Sequence, residues 1–243
     1  HRARLPFIIE ACRFSFESLT VAGQFEADLP FPPLLESWER REHPSQVRLR
    51  EYRDAIRTLA APALAALEPP LALGLHVAGR PDIAAGCDLD NFLTPVVKAL
   101  GGGEAFAFVW ATRGRASDRA FLTITRATDV RLDRESEPAH RSARLSASPE
   151  RPEWKAALAA AVGRHETATG RGPVELALRF GVSPQRNWVT LWKPAIDALG
   201  GILGEGARPW HPRDDRISLL ILERELRPEL AWDVELDVSW AVR

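Results

Sequence analysis

The spacing of apolar and polar positions switches repeatedly between a period of two and a period near 3.6, which predicts a mixed α/β protein. Residues 5–16 (LPFIIEACRFSF) and 24–29 (QFEADL) read as strands, the second stopped by Pro30, Pro32 and Pro33. From Gln46 to Leu67 the spacing is helical, with Leu49, Tyr52, Ile56 and Leu59 on one face, and Pro62 is expected to end or kink that helix. A strand at 71–77 (LALGLHV), a loop, and a helix over CDLDNFLTPVVKAL follow, the helix stopping at Gly101-Gly102-Gly103. Two further strands are expected at 106–112 and 119–127.

Residues 128–152 break this rhythm. They are charged and rich in serine and proline, and read as a linker or a poorly covered surface segment. Beyond them the pattern restarts: a helix in PEWKAALAAAVGRHE, a strand at 174–180, a helix at 187–199 ending in Gly200-Gly201, and strands at 216–225 and 232–240. TPVVKALGG (94–102) aligns without gaps on KPAIDALGG (193–201), proline, Ala-Leu and Gly-Gly included. This is the mark of an internal duplication. The expected organisation is a first unit over 1–130, a linker over 131–150 and a second unit over 151–243.

Candidate chemistry sits at the helix starts and strand mouths. Asp88-Leu89-Asp90-Asn91 offers hard oxygen ligands of the kind Mg²⁺ or Mn²⁺ takes. The same residues also suit a helix N-terminus, where Asp and Asn cap and complement the dipole. Asp82 is a further loop carboxylate. Asp214-Asp215, just before the strand at Arg216, could complete a carboxylate cluster or form a solvated turn. Lys193, one turn into its helix, could reach a phosphate oxygen as a point charge or face solvent. Trp188 and Trp192 are spaced i,i+4, as core aromatics or as a platform for bases.

Composition narrows the field. Lys+Arg number 32 against 33 Asp+Glu, a formal net charge of -1, so no whole-chain basic footprint for nucleic acid exists. Only Lys98, Lys155 and Lys193 are lysines. No apolar run is long enough to span a membrane, the two cysteines fit neither a disulfide framework nor a zinc motif, and the N-terminal stretch is not read as a signal peptide. A cytoplasmic setting is the expectation. No Walker loop, G-x-S-x-G, dinucleotide fingerprint or metal-spaced histidine pair is present.

In order, the strand ending in Leu29-Pro30-Phe31-Pro32-Pro33, the helix with Glu51-Tyr52-Arg53-Asp54, the strand 71–77 and Asp88-Leu89-Asp90-Asn91 resemble the RusA family of Holliday junction resolvases. The resemblance covers about residues 24–127 and, more weakly, 150–243. It implies an α/β (α+β, mixed-sheet) fold, two RusA-like units in tandem forming an intramolecular pseudo-dimer, and Mg²⁺- or Mn²⁺-dependent cleavage of branched DNA. The family pattern places a lysine one turn after D-x-D-N and an Asp-Asp pair before a later strand. Copy one has Asp88 and Asp90 but Thr94 in the lysine position, and no Asp-Asp after its glycines. Copy two has Lys193 and Asp214-Asp215, but Asn187 and Val189 in place of the early aspartates.

Together the copies hold each element once. A composite site would use Asp88, Asp90, Asp214 and Asp215 as metal ligands, with Asp88, Asp90, Asp215 and Lys193 as the catalytic set. The other reading is a decayed relative that binds DNA or a protein without cutting. The near-neutral charge favours that alternative, since phosphate neutralisation drives nucleic-acid binding.

Overall fold

A computed structural model describes residues 17–30, 32–36, 39–78, 88–115, 118–134, 139–146 and 148–242. The strand expected at 5–16, Asp82 and both cysteines lie outside these residues. Among the described residues, ten strands and five α-helices run in the order β1 (Glu17–Val21), β2 (Phe25–Asp28), α1 (Pro44–Ala66), β3 (Leu71–Val77), α2 (Leu89–Ala99), β4 (Phe106–Arg113), β5 (Phe121–Arg126), β6 (Val130–Arg134), β7 (Ala139–Leu145), α3 (Pro152–Val162), β8 (Val174–Val182), α4 (Val189–Asp197), α5 (Gly200–Leu203), β9 (Ile217–Leu226) and β10 (Val234–Val242). No helix among the described residues is long and apolar enough to cross a membrane.

Eight strands form one mixed sheet in the order β2-β5-β3-β4-β9-β8-β10-β7, and β1 pairs with β6 in a separate two-stranded ribbon. The sheet reads the same from both edges. β3 and β4 are parallel, as are β8 and β9, and each pair carries a register shift one residue into its first strand, at Leu71/Ala72 and at Val174/Glu175. At the centre β4 and β9 run antiparallel, with Trp110 opposite Ile221, Phe108 opposite Glu223 and Thr112 opposite Leu219.

Alternation along β3 explains the layering. Leu71, Leu73, Leu75 and Val77 face the large core that also takes buried residues from all five helices, among them Ile56, Phe92, Trp154, Leu191 and Ile202. Ala72 points the other way, into a small cluster with Phe108, Trp110, Leu219 and Ile221, over which Val21, Ala127 and Val130 pack. At β3, Gly74 leaves room for the Trp110 indole, which a Cβ would meet at 2.2 Å.

Three sequence expectations change. The stretch read as a linker, 131–150, contributes β6 and β7, and β7 completes an edge of the main sheet through β10. Its alternating residues are polar because one face of an edge strand stays wet, a pattern that composition alone reads as loop. Pro62 does not end α1, which continues to Ala66 with Ala63 buried against the core. The two Gly-Gly stops also differ. Gly101 and Gly102 adopt positive φ after α2, whereas Gly200 and Gly201 begin α5. Gly201 is needed there for another reason, since a Cβ would lie 2.0 Å from the Gly163 carbonyl oxygen.

Candidate metal centre

The site begins with the start of α2. Asp88 occupies the N-cap, but its carboxylate makes no capping hydrogen bond. It accepts instead from Asn91 Nδ2 at 2.9 Å and from Lys193 Nζ at 2.9 Å. The capping role that the sequence left open is therefore not where this side chain is spent. Asp90, one residue into the helix, is turned inward and 1% exposed. Its Oδ1 is buried with no hydrogen-bond partner among the described residues. A buried carboxylate oxygen left without a partner is costly, and such an atom calls for an explanation by ion or function.

The start of α2 is anchored from the first half of the chain. Pro95 has no N–H, so the Asn91 carbonyl loses its usual helical donor. The Glu36 amide takes that place at 3.0 Å. Glu36 is held in turn by Arg53 at 2.7 and 2.9 Å and by Lys98 at 3.1 Å. Arg53 of α1, through Glu36, thus helps fix the helix that carries Asp88 and Asp90.

The second half supplies the remaining groups. Lys193, on α4, places its Nζ 2.8 Å from Asp214 Oδ2 as well as 2.9 Å from Asp88 Oδ2, and 3.3 Å from Asp197 Oδ1. Asp214 lies on a short 3-10 turn immediately before β9. One oxygen from each of Asp88, Asp90 and Asp214 lies within 4.8 Å of the other two, and this triad could hold a metal ion. Asp215 does not join it; its side chain is exposed beside Arg216. In a 3-10 turn successive side chains diverge by about a third of a rotation, so one aspartate of the pair can point at the cluster and its neighbour cannot.

Electrostatics follow from this crowding. Burial pushes the Asp90 carboxyl up to about 7, with Asp88 and Asp214 adding to the rise and Lys193 opposing it. Burial likewise raises Asp214 to about 6 against the pull of Lys193. Burial works against the Lys193 ammonium, but Asp90, Asp214 and Asp88 outweigh it and hold its pKa above the ordinary lysine value. Asp88, Asp90, Asp197 and Asp214 face Lys155 and Lys193 in this network. Fully ionised, it carries two surplus negative charges, which one divalent cation would balance.

Two contributors escaped the sequence reading. Asp197, one turn after Lys193, joins it to Lys155, whose Nζ lies 2.7 Å from Asp197 Oδ2. Its signal was the i,i+4 spacing in KPAID. Arg216, 6% exposed, donates to the carbonyls of Gly172 at 3.0 Å, Thr167 at 3.0 Å and Leu203 at 2.7 Å, and so pins the turn that presents Asp214. Nothing in the sequence distinguishes it from the many other arginines. Trp188 and Trp192 are core residues, each 1% exposed and packed edge to face with centroids 4.9 Å apart, and offer no platform for bases.

The fold and the site define a mixed α/β protein with an acidic triad suited to a metal ion. No protein-family model matches the chain, and no curated protein matches it.

Proposed function

We propose that this protein is a Mg²⁺- or Mn²⁺-dependent endonuclease acting on branched DNA such as Holliday junctions, built from two RusA-like units in tandem as an intramolecular pseudo-dimer. The observation that carries the reading is the meeting of Asp88 and Asp90, from the first half, with Lys193 and Asp214, from the second. The palindromic strand order of the sheet supports the tandem arrangement.

The residues fit a hard divalent cation: three carboxylates converge, and the orphaned Asp90 Oδ1 is an available acceptor inside the cluster. Asp88, Asp90 and Asp214 would hold it. When bound, such an ion supplies positive charge for water activation and for the phosphate's transition state. Lys193 contributes a fixed ammonium at the rim of the cluster, 41% exposed and within reach of an incoming phosphate oxygen. Asn91 and Asp197 orient Asp88 and Lys193, and Arg216 holds the turn of Asp214. Asp215 stays outside the ligand set in this reading.

The net charge of -1 favours a second reading, a DNA-binding or protein-interaction module that does not cut. Incubation with a fixed four-way DNA junction and Mg²⁺ or Mn²⁺ separates the two. Cleavage that disappears in Asp90→Asn supports the endonuclease, and binding without cutting supports the module.

A further inference from the structure

The strand order that repeats across the sheet also defines where a second centre would lie. β4 and β9 occupy matching places, with the register shifts making Phe106 the counterpart of Ile217. Gly103, three residues before Phe106, is then the counterpart of Asp214. The aligned helices make Asn187, Val189 and Thr94 the counterparts of Asp88, Asp90 and Lys193.

Packing fills this second position. A Cβ on Gly103 would lie 2.4 Å from Trp188 Nε1 and 2.5 Å from Val189 Cγ2. Trp188, 1% exposed, donates from Nε1 to the Gly103 carbonyl at 2.9 Å, and Arg224 lies over its ring at 5.9 Å while donating to the Glu104 carbonyl. Asn187 accepts from the Val189 amide as a helix-start residue. Thr94 returns its hydroxyl to the Asp90 carbonyl at 2.8 Å. An indole and an isopropyl group stand where the other half gathers carboxylates and an ammonium.

We infer that each chain has one cation-binding centre and cuts one strand per encounter with its DNA, leaving a nick instead of a pair of matched cuts. This rests on the endonuclease reading above. In the cut, a water oxygen forms a bond to phosphorus and the bond from phosphorus to one sugar oxygen breaks. The departing sugar oxygen keeps the electron pair and ends as a hydroxyl, so one water is consumed and no redox partner is needed.

Two measurements on the full chain test this. Titration with Mn²⁺, followed by electron paramagnetic resonance, is expected to show one tight site per chain, lost in Asp90→Asn; two tight sites per chain overturn the inference. Incubation of a supercoiled plasmid bearing an extruded cruciform, with protein in excess, is expected to yield nicked circles. Nicking relaxes the plasmid and reabsorbs the cruciform, so a separate second cut cannot follow. Linear plasmid as the first product overturns the single cut while leaving the endonuclease reading intact. Plasmid that stays supercoiled overturns that reading, and the single cut with it.

Discussion

The Lys193 ammonium and the Asp88 carboxylate lie 2.9 Å apart across 105 positions of the chain. The contact joins the start of α2 to Lys193, one turn into α4, and Asp214 accepts from the same ammonium at 2.8 Å. Both halves of the chain therefore contribute charged groups to one cluster. An ion pair drawn from both halves makes their docking part of the chemistry of the site.

Replacing Lys193 by methionine removes the positive charge among Asp88, Asp90 and Asp214. Breaking a fully buried pair costs about 3–5 kcal/mol. Lys193 is 41% exposed, and solvent screening brings the expected loss to about 1–3 kcal/mol. Urea unfolding checks this, and saturating Mg²⁺ is expected to restore part of the loss. An unchanged midpoint contradicts a stabilising role for the ammonium.

The raised carboxyls give the metal-free protein a defined pH dependence. Asp90 titrates near 7 and Asp214 near 6, against 3.8 for an ordinary aspartate. Between about pH 4 and pH 7 these two carboxyls therefore hold more protons in the folded chain than in the unfolded one, and their contribution to stability falls as pH rises. Asp90→Asn is expected to flatten that slope in a series of unfolding curves. Protons and cation compete for the same oxygens, so Mn²⁺ affinity is expected to climb from pH 5.5 to pH 8.

Arg216→Lys keeps a charge but loses the fork that spans three carbonyls. The turn carrying Asp214 loosens, and Mn²⁺ affinity is expected to drop about 10- to 100-fold, as for other residues that orient a ligand. Retention of wild-type affinity on calorimetric titration would remove Arg216 from the account.

Gly103→Ala tests the filled counterpart of the site. The added methyl meets Trp188 and Val189 well inside contact distance, and buried Trp188 has little freedom to move. Overpacking of this kind costs about 1–3 kcal/mol, visible as a lower urea midpoint. Mn²⁺ stoichiometry is expected to stay the same, because Gly103 lies outside the acidic triad.

Much of this arrangement was legible in the residues. β3 falls where LALGLHV placed it, and the strands expected at 174–180, 216–225 and 232–240 fall close to β8, β9 and β10. Asp88, Asp90, Lys193 and Asp214 could be grouped because the resemblance to the RusA pattern implied one site drawing on both copies. Asp215 could not be separated from Asp214, since the direction of each side chain depends on a 3-10 turn that Arg216 fixes from distant carbonyls. β7 was hidden because an edge strand with a wet face has the composition of a loop. The role of Pro95 was hidden too: a freed carbonyl matters only once the Glu36 amide is known to fill it.

The central claim is that carboxylates from both halves form one working metal centre. The most direct measurement is cleavage of a labelled four-way junction in Mg²⁺ or Mn²⁺ by the wild-type chain, Asp90→Asn and Asp214→Asn. The account predicts metal-dependent cutting by the wild type and a loss of at least about 100-fold in each variant, a barrier increase of roughly 2.7 kcal/mol. Cutting that persists in either variant, or that needs no divalent cation, would contradict it.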